Sequence, residues 1–213
     1  MTRRDASSTL RGDPLREETY RFFDPSQPIA HCSGNLPHWR QENVTYFVTF
    51  RLADSIPKEK LRCWLKEREG WLQRHPEPHN AEERAEFWKL FPAQFHRWLD
   101  AGFGRCVCAQ LGVAEIVSGA LQHFDGDRYL LGEYVVMPNH VHVLVAPLGE
   151  RQLSDILRSV KSYSAKRINA VLKRSGPIWQ QESFDHIVRS PAQLERIVQY
   201  IRDNPKGKRS VTM

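Results

Sequence analysis

Two histidines one residue apart, His140 and His142, interrupt the apolar run "YVVMPNHVHVLV" at 134–145. The run is rich in β-branched valine and breaks at Met137-Pro138-Asn139, so it reads as strand on either side of a turn. Residues i and i+2 of a strand share a face, which points both rings the same way. Neutral imidazole nitrogen is a good ligand for a divalent metal. Two readings stay open on this pair alone: two ligands of a metal, or two satisfied core residues. Further along, "SPAQLERIVQYIRDNP" at 190–205 sets Arg196, Tyr200 and Asn204 at i, i+4 and i+8 along one helical edge. Beside that edge runs the apolar stripe Leu194, Ile197, Val198 and Ile201. If this helix packs over the histidine strand, Asn204 supplies an oxygen as third ligand and Tyr200 stands one turn away. Three protein ligands with open positions are the pattern of a catalytic metal. A metal beside a tyrosine suits nucleophilic phosphoryl transfer: the cation polarises a phosphodiester oxygen and the phenol oxygen attacks phosphorus.

These residues need a scaffold. In "TYFVTFRLAD" (45–54), Tyr46, Val48, Phe50 and Leu52 alternate with Thr45, Thr49 and Arg51, the period of a half-buried strand. Residues 58–100 are charged and helical in character, broken near "RHPEPHN", and 107–122 predict another helix; Trp64, Trp71, Trp88 and Trp98 in this region are expected as core anchors. "RYLLGEYVV" and "HVHVLVA" predict two antiparallel strands joined by a tight turn. Leu153, Ile156, Leu157, Val160, Ile168 and Val171 recur at helical spacing among Lys161, Lys166, Lys173 and Arg174, an amphipathic basic helix. "GPIWQQESFDHIVRS" predicts a loop and a short strand. The final helix is well signalled: Ser190 caps it, Pro191 suits its first turn, Gln193 completes a capping box and Pro205 stops it. Residues 1–44 read as an extended Pro-rich arm without elements, 45–206 as the domain with a helical insertion at about 58–125, and 207–213 as a tail. The element order fits an α+β fold, ferredoxin-like or RRM-like: an antiparallel sheet with helices packed on one face.

The net charge of +6 is unevenly placed. Residues 151–213 hold 13 of the 31 Lys and Arg but 5 of the 25 Asp and Glu, leaving +8 there and −2 in residues 1–150. This points to a polyanion partner at the C-terminal end, against the plainer reading of a solvated basic face. No stretch nears the roughly 18 apolar residues that span a bilayer, and "MTRRDASSTLRGDPL" lacks the apolar core of a secretory signal. No membrane partner and a cytoplasmic, nucleoid-associated chain are expected. Cys32, Cys63, Cys106 and Cys108 form no C-x-x-C pair, so free thiols are expected.

"MPNHVHVLV", "GPIWQQESFDHIVR" and "YIRDNP", in that order, resemble the REP-associated tyrosine transposases, relatives of the single-tyrosine HUH transposases. The likeness runs from about residue 45 to 206. It implies that His140 and His142 bind Mg²⁺ or Mn²⁺, that Asn204 completes the metal site, and that Tyr200 is the nucleophile. The implied activity is cleavage and rejoining of single-stranded DNA near hairpins through a 5′-phosphotyrosine, by a monomer or homodimer. Trp179, Gln180, Phe184, Asp185, His186 and Arg189 match the family's Trp-Gln and Asp-His-x-x-Arg segment. Lys161, Lys166, Arg167, Trp179, Arg189 and Arg196 are the expected DNA contacts. Loop packing is the competing reading of the Trp-Gln segment, and an extra ligand role for His186 has no further support. Tyr163, on the basic helix with Arg167 at i+4, competes as nucleophile but reads better as packing or DNA contact. After Asn204-Pro205 the chain departs from its relatives, reading Lys206-Gly207-Lys208 where they continue Val-x-Ala-Gly. Two other functions remain: a catalytically silent DNA-binding module, and an RRM-like RNA binder, which needs exposed aromatics on its central strands.

Overall fold

The computed structural model describes residues 20–28, 30–32, 38–76 and 79–204. Pro205, expected to stop the last helix, and the Lys206-Gly207-Lys208 departure lie outside the described residues. Among the described residues six strands and six α-helices follow one another: β1 (Ala30–Cys32), β2 (His38–Arg40), β3 (Tyr46–Arg51), α1 (Lys58–Arg74), α2 (Ala81–Leu90), α3 (Pro92–Asp100), α4 (Leu111–Gln122), β4 (Tyr129–Val136), β5 (His140–Pro147), α5 (Leu153–Val171), β6 (Phe184–Ile187) and α6 (Pro191–Asp203). A short 3₁₀ turn, Val107–Ala109, leads into α4. The main sheet has the antiparallel order β4-β5-β3-β6, which puts the histidine strand next to its centre.

Alternation along β3 and β5 divides their side chains between two faces. Tyr46, Val48, Phe50, Leu52, Val141, Val143 and Val145 join the larger core with the buried residues of α4 and α5. Phe47 and Leu144 point the other way and pack with Leu194, Ile197 and Ile201 of α6. Helices α4 and α5 thus cover one face, as the fold class requires, and the final helix lies on the face that carries His140 and His142. An ion pair at 2.6 Å from Arg202 to Glu133 ties α6 to β4. Glu133 sits in the bulge between Leu131 and Tyr134. The neighbouring Gly132 lies so close to Leu144 and Tyr20 that an added Cβ would stand 2.8 Å from Leu144 Cβ.

The half-buried reading of β3 is corrected. All six of its residues are buried, Thr49 at 2% and Arg51 at 6% exposure, because the insertion and α6 cover the second face. The insertion brings its own core of Ile56, Trp64, Trp71, Phe91, Phe95 and Leu99. Asn80 and Glu83 form a capping box at the start of α2. Trp64 and Trp71 are core anchors as expected, but Trp88 is 50% exposed and is not one. The arm also differs from its reading. β1 and β2 pair antiparallel over Ala30–Cys32 and His38–Arg40, strands too short for a periodic signal, and Phe23 N donates to Val188 O. At the start of α6, Ser190 Oγ accepts from Gln193 N as expected, but the Gln193 side chain accepts from Arg189 N, one residue outside a capping box.

Candidate active site

The pairing register builds the histidine site. Thr49 stands opposite His142 and Arg51 opposite His140 on the adjacent strand, so all four side chains share one face. His140 Nε2 and His142 Nε2 converge to 3.0 Å. Each ring is held from behind: His142 Nδ1 meets Thr49 Oγ1 at 2.8 Å and His140 Nδ1 meets Asn139 Oδ1 at 2.8 Å. The Asn139 amide is itself oriented, because its Nδ2 donates to the Phe103 carbonyl at 3.1 Å. Its Oδ1 must therefore accept, which places the proton of neutral His140 on Nδ1 and leaves Nε2 unprotonated, facing His142 Nε2. A hydroxyl both donates and accepts, so Thr49 can serve either tautomer of His142. This is the outer support that metal-ligating histidines usually have. Two nitrogens bound at right angles to one cation at about 2.1 Å each stand about 3 Å apart, so the pair fits such an ion. Among the described residues no three of His, Cys, Asp and Glu gather to hold a metal, so a third donor has to be of another type.

The final helix delivers Tyr200 to this pair. Its hydroxyl lies 3.3 Å from His142 Nε2, and its ring meets the edges of His142 and Phe47 at centroid distances of 5.1 and 6.2 Å. The residue is 37% exposed, with its oxygen turned inward. Burial pushes the phenol up to about 12; the charge of Asp100 adds to the shift and the Asn204 side chain opposes it. Asn204 caps the helix one turn after Tyr200; its side chain bears on the phenol, but among the described residues its buried Nδ2 completes no full hydrogen bond. An unsatisfied buried amide beside the tyrosine is unusual and marks a place where a polar group can be bound. Tyr163, by contrast, is 54% exposed on α5, whose buried residues Val160, Ser164 and Ile168 face the opposite side of the sheet.

The insertion contributes residues that no sequence signal singled out. His96 on α3 stacks on His142 at 5.7 Å and meets the edge of Tyr200 at 6.3 Å. Its pKa is lowered to about 4 by burial, with the charge of Asp100 opposing, so the ring is neutral at pH 7. Phe47 stacks on His142 at 5.5 Å. His186 lies beyond Phe47 at 5.4 Å and is likewise lowered to about 4, by burial and then by His96. The loop after α3 supplies the Phe103 carbonyl that orients Asn139. An aperiodic loop residue and a lone helical histidine carry no pattern in sequence, so only the fold associates them with the site.

Residues 113–204 match the family model described as "Transposase IS200 like". The match is a likeness of that segment, which is less than half of the chain, to IS200-like transposases. Among solved structures, one described as a REP-associated tyrosine transposase bound to a REP hairpin is 17% identical, covering 80% of this chain and 73% of that one at a TM-score of 0.45. A protein from Deinococcus radiodurans R1, assigned as a transposase, is 16% identical over 78% of this chain and 93% of that one at a TM-score of 0.35. No curated protein sequence matches the chain. The IS200-like segment contains His140, His142, Tyr200 and Asn204; Thr49, Arg51, His96 and Asp100 come from outside it.

The matched segment does not gather the expected DNA contacts on one surface. Arg196 is exposed on α6, one turn before Tyr200, and Arg189 is exposed just ahead of that helix with its guanidinium over Phe23 and Trp39. Lys166 and Arg167 are exposed on α5, across the sheet from the histidines. Lys161 is half-buried and donates to Gln181 O and Ser183 Oγ. Trp179 is corrected from DNA contact to core. It is 7% exposed, meets Phe50 edge-on at 4.9 Å and donates from Nε1 to Ser164 Oγ at 2.9 Å. Its apolar area and single donor are both used inside the protein, so no face is left for a base. Cys63, Cys106 and Cys108 are free thiols, and no helix among the described residues is long and apolar enough to cross a membrane.

Proposed function

We propose that this protein is a transposase: a metal-dependent single-strand DNA endonuclease and strand transferase of the REP-associated tyrosine type, acting at hairpin-forming repeat DNA. The observation that carries the reading is the approach of the Tyr200 hydroxyl to 3.3 Å from His142 Nε2, beside a second imidazole nitrogen 3.0 Å further on. His140, His142 and the Asn204 amide oxygen would hold Mg²⁺ or Mn²⁺, which supplies electrophilic polarisation of a phosphodiester oxygen when bound. Tyr200 attacks phosphorus; the P–O3′ bond breaks, leaving a 5′-phosphotyrosine and a free 3′-hydroxyl, and the proton lost by the phenol is matched by the one that hydroxyl gains. Attack by another 3′-hydroxyl on the phosphotyrosine reverses the step and joins strands. Thr49 and Asn139 keep the imidazoles in register, and neutral His96 with Phe47 holds the His142 ring between flat surfaces and limits water there.

The RRM-like alternative needs aromatic side chains displayed on central strands. Here β3 and β5 are buried on both faces, and the positions opposite each other hold Thr49 and His142. The test is a labelled single-stranded hairpin oligonucleotide incubated with and without Mn²⁺ and run on a denaturing gel. Metal-dependent cleavage with a protein-linked product is expected; binding with no cleavage at any metal concentration would overturn the reading.

A further inference from the structure

One charged group on the histidine face has no part in the site so far. Arg51, directly opposite His140 across the β3–β5 ladder, is 6% exposed. It donates from Nη1 to Ser55 Oγ at 3.1 Å and lies over the Phe95 ring at 5.4 Å. Ser55 Oγ in turn donates to Leu52 O. Among the described residues no carboxylate pairs with Arg51, and burial lowers its pKa to about 10. A second cation, half-buried, lies within reach of its charge. Lys161 reaches from α5 to Gln181 O and Ser183 Oγ, both neutral acceptors, and the charge of Arg51 bears on it more strongly than that of Glu182. The segment between them links the two, since Gln180 N donates to Arg51 O.

A buried cation beside a half-buried one is costly unless an anion answers them. Among the described residues most of the guanidinium's five donors are unused, and their planar fork matches the oxygens of a phosphate. The Phe95 ring on which Arg51 lies also lines an apolar cleft, formed with Trp64, Phe87, Phe91, Phe184 and the stem of Arg68. We propose that Arg51 and Lys161 form a phosphate-binding subsite that grips a backbone phosphate of the bound strand, next to the one that Tyr200 attacks. The identity of the ligand as DNA rests on the proposed function; the anion site itself does not. Arg51 is in this account a positioning residue, fixing the strand so that the neighbouring phosphate faces the histidines.

The probe is inorganic phosphate. Thermal unfolding of the full chain at pH 7 is followed in rising phosphate and in sodium chloride of matched ionic strength. A ligand that binds the folded state raises the midpoint with the logarithm of its concentration. The expected result is a rise in phosphate beyond that in chloride, lost in Arg51→Gln and in Lys161→Gln and kept in Lys66→Gln, an exposed control on α1. The difference between the two salts is the readout, which a merely structural arginine does not move. If Arg51→Gln does not fold, the half-exposed Lys161→Gln carries the test. No phosphate-specific rise in the unaltered protein, or an equal rise in both variants, overturns the subsite. In a Tyr200→Phe background, Arg51→Gln should also weaken single-stranded DNA on the order of tenfold, the value of one good guanidinium–phosphate contact; unchanged affinity overturns the proposal. A phosphate response without any DNA binding keeps the subsite and overturns the nuclease reading. Metal-dependent cleavage without a phosphate response does the reverse.

Discussion

Replacing Tyr200 with Phe removes one oxygen and keeps the ring, so it separates chemistry from folding. The oxygen makes a 3.3 Å contact to His142 Nε2, at the long end for a hydrogen bond. Losing it costs at most about 1 kcal/mol. For a chain of this size that moves the melting midpoint by roughly 2–4 °C. The ring's edge contacts with His142 and Phe47 remain, and with them the seat of α6 on the sheet. Binding of Mn²⁺ and single-stranded DNA should therefore survive while strand cleavage and the covalent protein–DNA adduct disappear. Tyr163→Phe, at an exposed position across the sheet, should leave both intact. The assay is a denaturing gel with labelled single-stranded DNA and Mn²⁺, followed by mass spectrometry of the DNA-linked peptide. Adduct formed by Tyr200→Phe, or a linked peptide containing Tyr163, would refute the assignment and leave α6 as scaffold.

Four further outcomes follow from the site and its supports. His142→Ala should abolish calorimetric Mn²⁺ binding at neutral pH at a stability cost of about 2 kcal/mol, from the cavity and the Thr49 hydroxyl left behind; Asn204→Ala should weaken the ion less, since a neutral amide is the poorer ligand. Asn139→Ala frees the tautomer of His140 and should weaken Mn²⁺ by about 10–100-fold in the same titration. Trp179→Ala should cost about 3–5 kcal/mol in chemical denaturation, as a core residue and not a DNA contact would. Lys161 is held at about 8, by burial first and then by Arg51, against an ordinary 10.5. Between those values the unfolded chain binds the proton that the folded one has released, so this group makes stability rise with pH there, by at most about 1.4 kcal/mol per unit. Tyrosines and cysteines titrate over the same range, so the measurement is the difference in slope between the unaltered protein and Lys161→Met, which should lose that rise.

Much of the site was legible because its parts are periodic. A strand places His140 and His142 on one face whatever it packs against, and a helix brings Tyr200 and Asn204 to one edge for the same local reason. The turn at Met137-Pro138-Asn139, the Ser190 cap and the basic helix are equally local, and the sheet that follows from their order is the one observed. What the chain could not announce are pairings between distant segments. Thr49 and Arg51 alternate with apolar neighbours, which in an uncovered sheet means solvent; a helix from the insertion and another from the C-terminal end cover that face, and so both become buried polar partners of the histidines. His96 and the Phe103 carbonyl reach the site through the packing of α3 and its exit loop. Trp179, read from its motif as a DNA contact with loop packing as the competing reading, is held inside by the hydroxyl of Ser164. Periodicity fixes the direction of a side chain relative to its own element, and only tertiary packing fixes what that direction meets.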